Sequence, residues 1–367
     1  MHLRSFKGAL RKAYLGIRKP ILRVLISTRP VPAIPRSIPS ILVISQRRLG
    51  DVALEIPALR QLRRAYPKAV VGIVAPAAFH PLLALACEPQ YLFPYPVRAR
   101  SLLAVLADIR KHDWHLAVDL TTDYHLLPAF LASHSRARIR LGFENAGRER
   151  FFDIALPFHE RIHMMEQFRA PLEILGHESQ ASFPPFDIPV LALPFPPKNG
   201  FRRRIGLHPG ATHWTQRWPL AYFADLAREI HEAGDQVLVL GVESERLMLE
   251  EIAERSRGAA IPIVCSGDIL RFAATLKGLD LLVCNNSGPL HLAGLLGVPT
   301  ISFMGPTAKE RWWPLGSRAR VLRQESLPCI GCNLSYCKIR THACMTGLTP
   351  KMAFSEYSRF STDNPND

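Results

Sequence analysis

Short apolar runs and helical periods alternate twice along this chain, with a proline-rich passage between the two series, and that alternation admits few folds. The first series places strands near 41–45, 69–75, 115–120 and 138–142, with helices near 52–66 and 101–111. The second places strands near 204–208, 236–240, 280–284 and 299–303, alternating with helices at 219–233, 244–256, 269–277 and 289–296. Strand–helix–strand units of this kind require mostly parallel sheets. Pro189, Pro194, Pro196 and Pro197 fall between the series and read as a linker. At 367 residues the chain exceeds the size of one ordinary core, so two domains are expected. The boundaries are a basic N-terminal extension over 1–37, a first Rossmann-like domain over 38–190, a linker over 191–204, a second Rossmann-like domain over 205–357 and a polar tail over 358–367.

Three polar elbows follow predicted strands, where open α/β sheets hold their ligands. Ile41 to Ser45 runs into Arg47-Arg48-Leu49-Gly50-Asp51, which places a carboxylate at the mouth of the first sheet. Asp51 is the first acid in the chain, preceded by eleven Lys and Arg, and so is a candidate base on an anionic substrate. Asp280 to Cys284 leads into Asn285-Asn286-Ser287-Gly288-Pro289-Leu290-His291. There Ser287 is placed to cap a helix, Gly288 admits a ligand close to the backbone, Pro289 suits the first turn, and the helix N-terminus suits a diphosphate. The bland alternative is an ordinary capped helix with a structural histidine. The third elbow, His208-Pro209-Gly210-Ala211-Thr212 through Gln216-Arg217-Trp218-Pro219, offers hydroxyls and a guanidinium fork, against the simpler reading of a helix entrance with a packed tryptophan.

A formal charge of +15 implies an anionic partner. Residues 1–40 interleave Arg4, Lys7, Arg11, Lys12, Arg18, Lys19 and Arg23 with Phe6, Leu10, Ile17 and other apolar residues, the pattern of a basic amphipathic helix or of a solvated tail. Arg18, Lys19 and Arg23 break the apolar runs too early for a signal peptide, and no stretch approaches the ~20 residues of a spanning helix. The expected location is therefore cytoplasmic, with peripheral contact at the inner-membrane surface. Cys87, Cys265 and Cys284 lie singly in apolar contexts, as reduced buried thiols do, whereas Cys329, Cys332, Cys337 and Cys344 cluster as C-x2-C-x4-C-x6-C with His342 among them. That spacing is compatible with a zinc site, a metal-free cysteine loop or a redox-labile cluster.

Gly50-Asp51-Val52 with Pro57-Ala58-Leu59, His163 to Gly176, His208-Pro209-Gly210-Ala211 with Arg217-Trp218-Pro219, Ser287-Gly288-Pro289 with His291, and Gly305-Pro306-Thr307 together resemble glycosyltransferase family 9, the lipopolysaccharide heptosyltransferases. The resemblance spans roughly 38 to 355. It implies a GT-B fold of two facing doubly wound domains with a central cleft. It also implies inverting transfer, with no metal or other cofactor required, of a heptose from an ADP-sugar to the inner core of a lipopolysaccharide precursor. On this resemblance Asp51 is the catalytic base, and Ser287, Gly288 and His291 form the donor-phosphate elbow. Thr212 lies near the phosphates and Glu245 contacts the nucleoside. Arg47, Arg48, Arg60, Arg63 and Arg64 are candidates for binding an acidic sugar or phosphate on the acceptor, although arginines on a helix are more often just solvated.

Two positions depart from the family's pattern. Gln216 stands where a lysine is usual, and Asn286 where an aspartate is usual. A charge-assisted hydrogen bond lost at a diphosphate costs about 1.5–3 kcal/mol, which Arg217 offsets only if its side chain turns inward. Two other function classes therefore stay open at this point: a catalytically weak homologue that binds nucleotide sugar or lipid, and a basic nucleic-acid-binding protein with a four-cysteine zinc site. No nucleic acid is expected under the leading reading.

Overall fold

The structure is a computed structural model that describes residues 2–26, 31, 33–35, 37–178, 185–191, 193, 195–265 and 267–362, with side chains from Tyr14 to Phe360. The side chains of Phe6 and Leu10, part of the expected linker and the end of the tail lie outside the described residues. Contacts divide the chain into two compact units, Met1–Arg47 with Glu55–Phe183, and Arg48–Leu54 with Pro184–Asp367.

The first unit holds a six-stranded parallel sheet in the order β3-β2-β1-β4-β5-β6. Its strands are β1 (Ser40–Ile44), β2 (Val70–Ala75), β3 (Tyr91–Pro94), β4 (Leu116–Asp119), β5 (Ile139–Phe143) and β6 (Ile154–Leu156). All of β1, β4 and β5 is buried, as parallel strands covered on both faces must be. Trp114 is 1% exposed and packs with Phe93, Val105, Leu106 and Ile109 into the core. Helix α2 (Leu49–Ala65) follows β1. At the carboxyl end of β4, Asp119 forms an ion pair with Arg148, both side chains fully buried. Arg148 also donates to the carbonyls of Thr121 (2.7 Å) and Asp123 (2.6 Å), which fixes the loop after β4.

The second unit repeats the topology, β12-β11-β10-β7-β8-β9. Its strands are β7 (Arg204–His208), β8 (Gln236–Val242), β9 (Ala260–Cys265), β10 (Leu281–Asn285), β11 (Thr300–Phe303) and β12 (Ala319–Leu322). In sequence order both sheets read third, second, first, fourth, fifth, sixth, the doubly wound arrangement whose switch point lies between the first and fourth strands. In this unit that point is the boundary of β7 and β10, paired in register from Leu281↔Ile205 to Cys284↔His208.

Candidate functional site

The polar loops that follow β7, β8, β10 and β11 meet at the carboxyl edge of the second unit's sheet, and one buried amide organises them. Asn285 is fully buried, accepts the Trp218 N–H at Oδ1 (2.9 Å) and donates from Nδ2 to the Pro209 carbonyl (2.7 Å). It thereby ties the His208–Pro219 elbow to the Asn285–Gly288 elbow. Trp218 is 1% exposed, stacks on Phe303 at 4.0 Å between centroids and donates from its indole to the Leu348 carbonyl. It is a packed core residue.

The second elbow opens the helix Gly288–Leu295, with Ser287 at the N-cap position and Pro289 in the first turn. Ser287 does not cap as expected. Its hydroxyl donates to the Asn285 carbonyl (3.2 Å), and its side chain makes no capping bond to the helix amides. The positive end of the helix is therefore not answered by its own cap, the condition under which an anion is best held there.

Against this helix start lies the segment 48–54, which belongs to the same compact unit. A Cβ on Gly50 would stand 3.1 Å from the His291 ring and 3.3 Å from Gly288 Cα, and one on Gly288 would stand 3.2 Å from the Gly50 nitrogen. Two glycines thus let the backbones touch. Asp51, half-buried in the first turn of α2, follows directly. The structure brings Gly50, the residue before Asp51, against Gly288 and His291 of the second elbow.

Glu245 closes the far side. Its Oε2 accepts the Val242 N–H (3.0 Å) and lies 3.7 Å from His208 Nε2. A Cβ on Gly210 would collide with its Oε1. Burial holds the His208 imidazole below its usual pKa, against the upward pull of Glu245. Thr212 is exposed, and Gln216 donates to the Thr307 hydroxyl (3.3 Å). Arg217 does not turn toward that site. Its Nε and Nη2 both donate to the Ala211 carbonyl, at 3.1 and 3.0 Å, so it fastens the elbow. Asn286 is 7% exposed and donates to the Trp312 carbonyl (3.0 Å). The loop after β11 is gathered by Arg323, whose Nη1 reaches the carbonyls of Met304, Gly305 and Thr307.

The five candidate arginines separate. Arg48 is exposed beside Gly50, and Arg47 pairs with Asp123 (2.5 Å) with its guanidinium over Tyr95. Arg63 donates to the carbonyls of Cys87, Ala69 and Glu88, and its place on α2 is structural. At 1.5 Å per residue, Arg60, Arg63 and Arg64 lie about 14–20 Å along the helix from Asp51. A residue that sequence reasoning passed over fixes α2 itself. Glu55, fully buried, accepts from the Ser45 hydroxyl and from the Gln46 N–H (3.1 Å). An acid inside Val52-Ala53-Leu54-Glu55-Ile56 was the available signal.

Cys329, Cys332, Cys337, Cys344 and His342 line one small cavity with Thr215 and Pro306. Burial pushes the Cys344 thiol up to about 11, with the three neighbouring cysteines adding to the rise. Among the described residues no group of three or more His, Cys, Asp or Glu side chains is arranged to hold a metal ion. His342 Nε2 lies 2.7 Å from the Thr215 carbonyl, and the Thr215 hydroxyl donates to the Leu334 carbonyl (2.9 Å). The cysteine loop is thus clamped onto the elbow that carries Gln216.

The family model for glycosyltransferase family 9 (heptosyltransferase) matches residues 103–341, more than half of the chain. Lipooligosaccharide heptosyltransferase 2 of Haemophilus ducreyi is 23% identical over 349 residues, 87% of this chain and 98% of that protein. Lipooligosaccharide heptosyltransferase 2 of Campylobacter jejuni is 26% identical over 170 residues, so that match spans 45% of this chain and only 53% of that relative's length. The structure of E. coli ADP-heptose lipopolysaccharide heptosyltransferase II superposes with a TM-score of 0.68 at 21% identity, covering 88% of this chain and 98% of that one, and shows the fold to be GT-B. With its two doubly wound units and these matches, the chain is a member of glycosyltransferase family 9.

Proposed function

We propose that the protein transfers a heptose from ADP-heptose to the inner core of a lipopolysaccharide precursor, with inversion at the sugar and without a metal, on the cytoplasmic face of the inner membrane. The observation that carries this reading is the seating of Gly50, directly before Asp51, on Gly288 and His291. An acceptor hydroxyl oxygen attacks the anomeric carbon on the face opposite the diphosphate, its proton passes to Asp51, and ADP leaves with the bonding pair. Charge growing on the departing diphosphate is met by the N-terminal end of Gly288–Leu295, which the Ser287 side chain does not cap, and by His291. Glu245 reads the nucleoside. The heptosyltransferase relatives and the ADP-heptose enzyme of like fold support the choice of donor.

A second reading, a homologue that binds donor without transferring it, draws on the engagement of Arg217 with Ala211 and of Asn286 with Trp312. Calorimetric titration with ADP-heptose and with UDP- and GDP-sugars tests donor choice. Saturable binding of ADP-heptose in preference to the others is expected, and preference for another base would overturn the assignment. Gln216→Lys, which restores a cation beside Thr307, is expected to tighten ADP-heptose binding by roughly tenfold. No gain would mean that the elbow does not reach the diphosphate.

A further inference from the structure

Helix α1 (His2–Leu25) has described side chains from Tyr14 on, and among these one face holds it to the first unit. Arg18, 6% exposed, donates from Nε to the Ala146 carbonyl (2.8 Å) and from Nη1 to the Tyr124 carbonyl (2.7 Å). Leu22 and Ile26 pack against the core, Lys19 pairs with Glu149 (3.3 Å), and Arg150 donates to the Ile26 carbonyl (2.7 Å). These contacts set the rotation of the helix. They leave Ile17, Ile21 and Val24, spaced four and three residues apart, on the outer side with exposures of 61, 49 and 86%, and Tyr14 at its edge with its ring against Arg18. No helix among the described residues is long and apolar enough to cross a membrane, so the stripe is not part of a span.

We infer that this stripe seats α1 in the plane of an anionic lipid surface. An apolar row on a basic helix immerses its side chains at the headgroup boundary while the cations meet lipid phosphates. The first fifty residues carry eleven Lys and Arg and no acid; Arg18, Lys19 and Arg47 are bonded within the unit, and the excess left by the others matches an anionic bilayer and would oppose pairing with the same segment of a second copy. Arg18 and Leu22 hold the apolar row outward, so the surface is preformed rather than ordered on contact. The inference deepens the glycolipid-acceptor reading by naming the face that brings the enzyme to its acceptor, and it is measured without donor or acceptor.

The test is co-sedimentation of the full chain with phosphatidylcholine vesicles, with and without phosphatidylglycerol, at low and high salt. Binding to the anionic vesicles, reduced by salt, is expected. Ile17→Glu with Ile21→Glu, both at exposed positions, should lower it at least about tenfold with the melting temperature unchanged, and Arg23→Glu should weaken only the anionic-lipid component. Equal binding by the double variant, or none by the wild type, would overturn the inference. So would a vesicle-free dimer abolished by the same two substitutions, which would assign the stripe to a second copy. A failed vesicle assay leaves the transfer reading standing, and a failed transfer assay leaves vesicle binding standing.

Discussion

Asp51→Asn is expected to lower the turnover number for transfer by at least about 10²-fold while leaving the donor dissociation constant within about twofold. The amide has the size of the carboxylate and keeps its place in the first turn of α2, but it cannot accept the acceptor's proton as a base. On the proposed reading the donor is held elsewhere, by the Ser287–His291 elbow and Glu245, so ground-state binding should survive. Turnover and donor binding falling together would make Asp51 a structural or binding residue. Unchanged turnover would remove it from the mechanism. Glu55, one helical turn on, is fully buried and bonded to Ser45 and Gln46, and it holds the helix that presents Asp51.

Arg148→Met is expected to destabilise the protein by about 3–5 kcal/mol, a fall in melting temperature of roughly 10 °C, read by thermal denaturation. Removing the guanidinium strands Asp119 with no counter-charge, where burial pushes its carboxyl up and Arg148 is the chief opposing influence. The carbonyls of Thr121 and Asp123 lose their donor as well. Adding Asp119→Leu should recover much of the loss, because an apolar pair in place of a buried ion pair is often neutral. A loss below about 1 kcal/mol in the single variant, or no recovery in the double, would show that the pair is not what holds this end of the sheet.

The strands that the sequence reveals and those it hides divide by position in the sheet. β1, β2, β4, β5, β7, β8, β10 and β11 are interior strands, nearly all buried, and their unbroken apolar runs are legible. The four that periodicity missed, β3, β6, β9 and β12, are the four sheet edges. They are short or half-exposed, with Pro94, Pro262 and Arg320 tolerated because an edge has an unpaired side. Their signal is diluted by solvent.

The elbows were legible because glycine, proline and small polar residues after an apolar run leave a local signature, and the family resemblance gave them roles. What the sequence hid is where side chains turn. That Asn285 rather than Asn286 joins the two elbows, that Ser287 bonds backward instead of capping, and that Arg217 faces Ala211 are decided by tertiary contacts. The same holds for the arginines of α2, which spacing cannot rank but helix rise separates from Asp51.

The most direct test of the central reading is transfer by the purified protein from β-configured ADP-heptose to a lipid A acceptor bearing an acidic inner-core sugar, without added metal, with the configuration of the new linkage read by NMR. An α-linked heptose is the expected product. No product with a competent acceptor, or a linkage that retains the β configuration, would contradict single in-line displacement assisted by Asp51.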